Sequence, residues 1–190
     1  INGANMCIQD NGAAVNLVID VTGYTTSNYA GAATRILDTR PATQKGSLLG
    51  PLAGGTVYQV ATGLAAGTYA FNVADVAPTG VGNLRVFPEP AAGIATVAQV
   101  PNTAVDTYIP NTDGSAMAIL TVPASGNLDM YSDSAGTVNV VIDQLGAFTA
   151  GTSLTTLATP TRIADSRPGP IAAGSSVTVV GSPSGSGANF

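Results

Sequence analysis

The chain has 190 residues, 45% of them hydrophobic and only 9% charged, with a formal net charge of −5, a single cysteine (Cys7), and no histidine or tryptophan. That balance excludes the basic footprint of a nucleic-acid-binding domain and attraction to an anionic membrane surface. Without histidine there is no Ser-His-Asp hydrolase, and one cysteine leaves neither a zinc ligand set nor an internal disulfide.

Soluble domains average roughly 25% charged residues, so this surface must be built from Thr, Ser, Asn and Gly. No apolar run approaches the roughly 20 residues of a membrane helix, and no positively charged leader precedes a hydrophobic stretch. Membrane insertion is therefore not expected.

Hydrophobic periodicity is two along the chain, the signature of strands. In Val15-Asn16-Leu17-Val18-Ile19-Asp20, Val15, Leu17 and Ile19 share one face. Further strands are predicted over 56–61, 68–75, 82–88, 94–99, 115–122, 126–131 and 175–180, with Val138–Asp143 repeating the first pattern. Turn signals separate them at Ala77-Pro78-Thr79-Gly80, Asn111-Thr112-Asp113-Gly114 and Pro123-Ala124-Ser125-Gly126. Short strands with frequent turns predict an all-β fold, an antiparallel β-sandwich or a barrel-like repeat domain, almost without helix.

An internal repeat sets the domain plan. Residues 5–24 align without gaps on 128–147, sharing Asp10, Val15, Asn16, Val18, Ile19, Asp20 and Gly23 with Asp133, Val138, Asn139, Val141, Ile142, Asp143 and Gly146. Cys7 then falls opposite Met130, which marks it as a small core hydrophobe rather than a reactive thiol. Thr34-Arg35-Ile36-Leu37-Asp38-Thr39-Arg40-Pro41 likewise aligns on Thr161-Arg162-Ile163-Ala164-Asp165-Ser166-Arg167-Pro168. Gly50-Pro51-Leu52-Ala53 matches Gly169-Pro170-Ile171-Ala172 once 42–49 is treated as an insertion, and Tyr58-Gln59-Val60 then falls on Val177-Thr178-Val179. One complete β-repeat domain is expected over 27–150, after the end of a preceding repeat (1–26) and before the start of a following one (151–190). Left alone, each terminal piece would expose strand edges. A fragment of a longer array, or a subunit whose head pairs with its own or a neighbour's tail, would meet that requirement.

The charges gather at the repeated motifs. Asp20, Arg35, Asp38, Arg40, Asp143, Arg162, Asp165 and Arg167 include four of the five arginines. In an extended segment Asp38 and Arg40 share a face, as do Asp165 and Arg167. Arginine forks onto carboxylates in bidentate pairs. These eight residues are predicted to form a structural clasp at the repeat boundary, joining Asp20-type and Arg40-type side chains.

With those residues in hand, the chain resembles a tandem extracellular repeat of secreted and cell-surface proteins of actinobacteria and other environmental bacteria. The resemblance rests on Thr34–Arg40, Gly82-Asn83-Leu84-Arg85-Val86-Phe87-Pro88, Met117–Pro123 and Val141-Ile142-Asp143, closing near Gly146 and Phe148. It implies an extracellular or cell-surface location and a module strung in arrays or appended to secreted hydrolases, with no catalytic residues to carry over.

Enzymatic alternatives find little footing. Asp38-Thr39 and Asp165-Ser166 share a dipeptide with the paired Asp-Thr/Ser-Gly of aspartic proteases, but arginine replaces the glycine in both. A guanidinium that close holds a carboxylate ionised, which opposes proton sharing. A Ser-Lys dyad would need Lys45, the only lysine, inside the 42–49 insertion. Asp10-Asn11-Gly12, Asp113-Gly114 and Asp133-Ser134 are turn-borne oxygens without calcium-loop spacing, and read as turn residues satisfying their own backbone. No catalytic, cofactor or metal site is expected. Tyr69 and Phe71 read as core, and Tyr24 and Phe148 as packing a junction between units. The expected role is a non-catalytic structural repeat that assembles with itself into a fibre, filament or stalk; the alternative is an accessory module that binds cell-wall glycan.

Overall fold

The structure is a computed structural model and describes residues 29–149. The predicted strand over 175–180 and the terminal pieces lie outside the described residues. Among the described residues, nine strands run as β1 (Tyr29–Asp38), β2 (Leu52–Ala53), β3 (Val57–Ala61), β4 (Gly67–Val76), β5 (Gly82–Pro88), β6 (Asp106–Tyr108), β7 (Gly114–Val122), β8 (Asn127–Ser132) and β9 (Thr137–Phe148). They form two antiparallel sheets. The larger has the order β1-β9-β4-β7, with β2 also pairing to β9; the smaller has the order β3-β8-β5-β6. The sheets pack face to face, so the fold is a β-sandwich rather than a closed barrel.

Alternation explains which side chains enter the core. Val138, Val140 and Ile142 of β9 point inward and are buried, meeting Phe71 and Val73 of β4. The smaller sheet contributes Leu84, Val86, Leu128 and Met130 to the same cluster. Phe71 is fully buried, whereas Tyr69 is half-buried at the core margin. The three turns read from sequence all fall between strands. Asn111 adopts φ 60°, a left-handed conformation that asparagine tolerates, and Gly126 adopts φ 78°. Gly54 answers a different need: a Cβ there would lie 1.9 Å from the Ser134 carbonyl oxygen, so only glycine lets these two backbone segments touch.

One predicted strand is absent. Residues 94–99 belong to a long connection between β5 and β6, where a short 3-10 turn spans Val97–Gln99. Ile94 and Val97 are half exposed, while Ala95 is buried, its N–H donating 2.6 Å to Asp129 Oδ2 on the smaller sheet. Pro88, Pro90 and Gly93 break up the approach to this segment, so its alternation arises from the loop lying on the sheet rather than from pairing within it. Conversely, β1, β2 and β6 escaped prediction: irregular pairing within β1 breaks its period of two, and two- and three-residue strands carry no period to read.

Core deletion supplies a direct check. Phe71→Ala should destabilise the protein by about 3–5 kcal/mol, seen in urea unfolding as a lower midpoint with an unchanged slope.

Candidate functional site

The two repeated motifs are hydrogen-bonded neighbours. Thr34–Asp38 lies on β1 and Val141–Gly146 on β9, in the register Thr34↔Gln144, Arg35↔Asp143, Leu37↔Ile142 and Asp38↔Val141. Thr39 prolongs the ladder beyond the end of β1: its N–H donates to the Val140 carbonyl (3.1 Å), and its hydroxyl accepts the Val140 N–H (3.0 Å). Gly146 has its own task, because a Cβ there would sit 2.4 Å from the ring of Tyr29. That ring also packs on Phe148, with centroids 5.0 Å apart.

The charged residues of both motifs meet on this strand pair. Asp38 is fully buried and accepts hydrogen bonds from Arg35 Nη1 (2.7 Å), Arg40 Nε (2.9 Å), Arg40 Nη2 (2.7 Å), the Arg40 backbone N–H (3.1 Å) and the Thr43 hydroxyl (2.8 Å). Arg35 also forks onto Asp143 on the neighbouring strand, through Nε at 2.6 Å and Nη2 at 3.3 Å. A local irregularity makes this possible. Strict alternation would put Arg35 and Asp38 on opposite faces, but a bulge between Arg35 and Leu37 adds one residue to β1. The same bulge buries Ile36 and Leu37 consecutively.

Hydrogen bonds from Arg40, opposed by burial and reinforced by Thr43, hold the Asp38 carboxyl well below the usual carboxylate range. Asp143 raises Arg35 and Asp38 raises Arg40. Every carboxylate oxygen of Asp38 is thus occupied, with no proton to share. Of the eight residues singled out from sequence, Arg35, Asp38, Arg40 and Asp143 come together here; Asp20, Arg162, Asp165 and Arg167 lie outside the described residues. Arg35 is the member that crosses between strands, and Arg40 turns back onto Asp38.

Other acidic groups have different surroundings. Asp113 Oδ1 accepts the Ala77 N–H at 2.7 Å, supporting the turn after β4. Burial tends to raise Asp133, but the Asn83 amides and Arg85 outweigh it and lower its pKa. Beneath the β5–β6 connection, Glu89 is held by Gln59 and Asn127, and burial pushes Asp129 up. Asp75 on β4 is fully buried, and burial together with Asp106 pushes it up to about 6. The sequence singled out none of Glu89, Asp129, Asp75 or Asp106, because each stands alone on its own strand or loop. Among the described residues, no three His, Cys, Asp or Glu side chains converge on one point. A void of about 10 Å³ between the sheets, lined by Leu52, Leu84, Met130, Val138 and neighbours, has no room for a ligand.

No known family model, curated protein or solved structure matches the chain.

Asp38→Asn retains shape and removes the charge. Both arginine side chains keep more than a third of their surface in water (38% and 37%), so the loss should fall below the full cost of breaking a buried pair, at about 2–3 kcal/mol. Because the folded pKa is depressed, the stabilisation is complete above the unfolded aspartate value of about 3.9 and drains away as pH falls below it. Melting temperature against pH should therefore drop more steeply below pH 4 in the unaltered protein than in Asp38→Asn. Parallel curves would remove Asp38 from the account.

Proposed function

We propose that the chain is a non-catalytic, extracellular structural repeat protein that assembles with copies of itself into a fibre, filament or cell-surface stalk. The observation carrying this reading is that its duplicated motifs are the first and last strands of one sandwich. Residues 5–24 align on 128–147, which covers most of β8 and β9, and residues 161–179 align on the segment running from β1 into β3. In the described sandwich these strands are one another's partners: β1 and β2 pair with β9, and β3 pairs with β8. The head and tail sequences therefore match segments that pair with one another in the described sandwich. Joining units through them, within one chain or between chains, is a heterologous contact that extends along a line.

A second feature supports lateral cohesion. β7 is an edge strand of the larger sheet, nine residues long, without charge or proline. It exposes Met117 (65%) and Ile119 (37%). Soluble proteins usually protect such an edge with lysine, proline or a covering loop. A surface so poor in charge also offers little repulsion between copies.

Light scattering over a wide concentration range should show growth in mass, and negative-stain microscopy should show particles with a regular axial repeat. Ile119→Lys should weaken association while changing unfolding free energy by no more than about 0.5 kcal/mol. A protein that stays monomeric throughout would end the assembly reading, and saturable binding on a cell-wall glycan array would favour an accessory module.

A further inference from the structure

The seam between the two sheets carries a pair of carboxylates that the clasp does not involve. Asp75 lies near the end of β4 in the larger sheet, and Asp106 opens β6 in the smaller one. Asp75 is fully buried, yet neither of its carboxylate oxygens accepts a hydrogen bond. Oδ2 of Asp106 is likewise buried and bare, while its Oδ1 takes the Thr107 N–H at 2.8 Å. Burial and the neighbouring Asp106 carboxyl raise the Asp75 pKa, and the nearby backbone N–H groups of Asp75 and Gly114 only partly oppose them.

Two of the bare oxygens, Asp75 Oδ1 and Asp106 Oδ2, lie beside Gly114, the partner of Asp75 in the β4–β7 ladder. A Cβ built on Gly114 would lie 2.8 Å from Asp75 Oδ1 and 3.3 Å from Asp106 Oδ2. One bare oxygen from each carboxyl thus meets the other at the junction of β4, β6 and β7, and the second oxygen of Asp75 is buried and bare as well. Leaving buried charge uncompensated is among the costliest things a fold can do. The salt bridges of the described residues lie elsewhere, on Asp38, Asp143 and Asp133.

We propose that Asp75 and Asp106 bind a divalent cation of the calcium class, which ties the two sheets together at this seam. Charge and valence favour a cation over a shared proton. One proton would engage an oxygen from each carboxyl, leaving the third oxygen bare and a full negative charge in the interior. A divalent ion neutralises both carboxylates and can take all three oxygens. The donors are hard oxygens, the chain has no histidine, and no cysteine occurs among the described residues, which argues against transition metals. Magnesium retains several waters in a strict octahedron, which suits the fully buried Asp75 poorly; calcium accepts irregular oxygen shells, and the half-buried Asp106 side admits water to complete one. With two carboxylates, affinity belongs at the weak end for calcium modules, about 10⁻⁴–10⁻³ M.

The experiment uses the full chain after chelator treatment, at pH 7.5. Calcium chloride at 10 mM should raise the melting temperature by about 5 °C, saturating with a millimolar or sub-millimolar midpoint, and magnesium should do distinctly less. Asp106→Asn, which keeps the shape of a half-buried side chain, should abolish the calcium response. In chelator it should melt no lower than the unaltered protein, because one of two like charges is gone. Titration calorimetry of the unaltered chain with calcium gives a readout independent of whether the variant folds, and should show saturable heat. Absence of both heat and shift, or an equal shift in Asp106→Asn, would overturn the proposal. So would a melting temperature that rises on acidification to pH 5.5 and ignores calcium at both pH values, which would identify a proton-sharing pair.

Discussion

The sandwich depends on one buried anion. Asp38 sits where the first strand ends, and its five hydrogen bonds gather Arg35, Arg40 and Thr43 around it. Through Arg35 the same network reaches Asp143 on the last strand. Joining residues 108 positions apart in sequence is entropically demanding for the chain. Apolar burial supplies the drive, since Leu37 and Ile142 are register partners that both enter the core. Apolar contact alone would tolerate a slipped register. The forked arginine does not, because its planar donors match carboxylate oxygens in only a few geometries.

Much of this was legible in the chain. The duplicated Thr-Arg-x-x-Asp-Thr/Ser-Arg and Val-Ile-Asp segments stood out because their charges interrupt a nearly uncharged sequence, and the Val-Ile-Asp segments end runs with a period of two. What periodicity could not show is the bulge after Arg35. A bulge changes the period locally, and with it which charges share a face, so Arg35 could be placed in the cluster but not as the residue crossing between strands. The 94–99 segment is the converse case. Its alternation is real, but it reflects a loop resting on a sheet, and only the hydrogen bond from Ala95 to Asp129 reveals that.

The buried carboxylates were the least legible feature. Asp75, Glu89, Asp106 and Asp129 are spread over four segments, and nothing in their immediate neighbours distinguishes them from surface residues. Their significance comes from the third dimension, where sheet stacking or a covering loop removes water. With so few charges, those taken inside the fold are disproportionately informative: Asp38 is saturated with donors, Glu89 is held by amides, and Asp75 is bare.

The pairing of Tyr29 with Phe148 has a mechanical meaning. The described domain begins and ends on adjacent antiparallel strands, at the same end of the same sheet. A load applied across its two ends does not shear those strands along their length; it peels them apart, breaking cross-strand hydrogen bonds a few at a time. The first stretch to part runs through small residues, Ala30 to Ala33, and gives little resistance. The peel then meets the fork between Arg35 and Asp143, and behind it the buried Asp38. The ion cluster thus acts as a stop set a short way inside a zip, letting the ends yield under tension while the sandwich behind them stays closed.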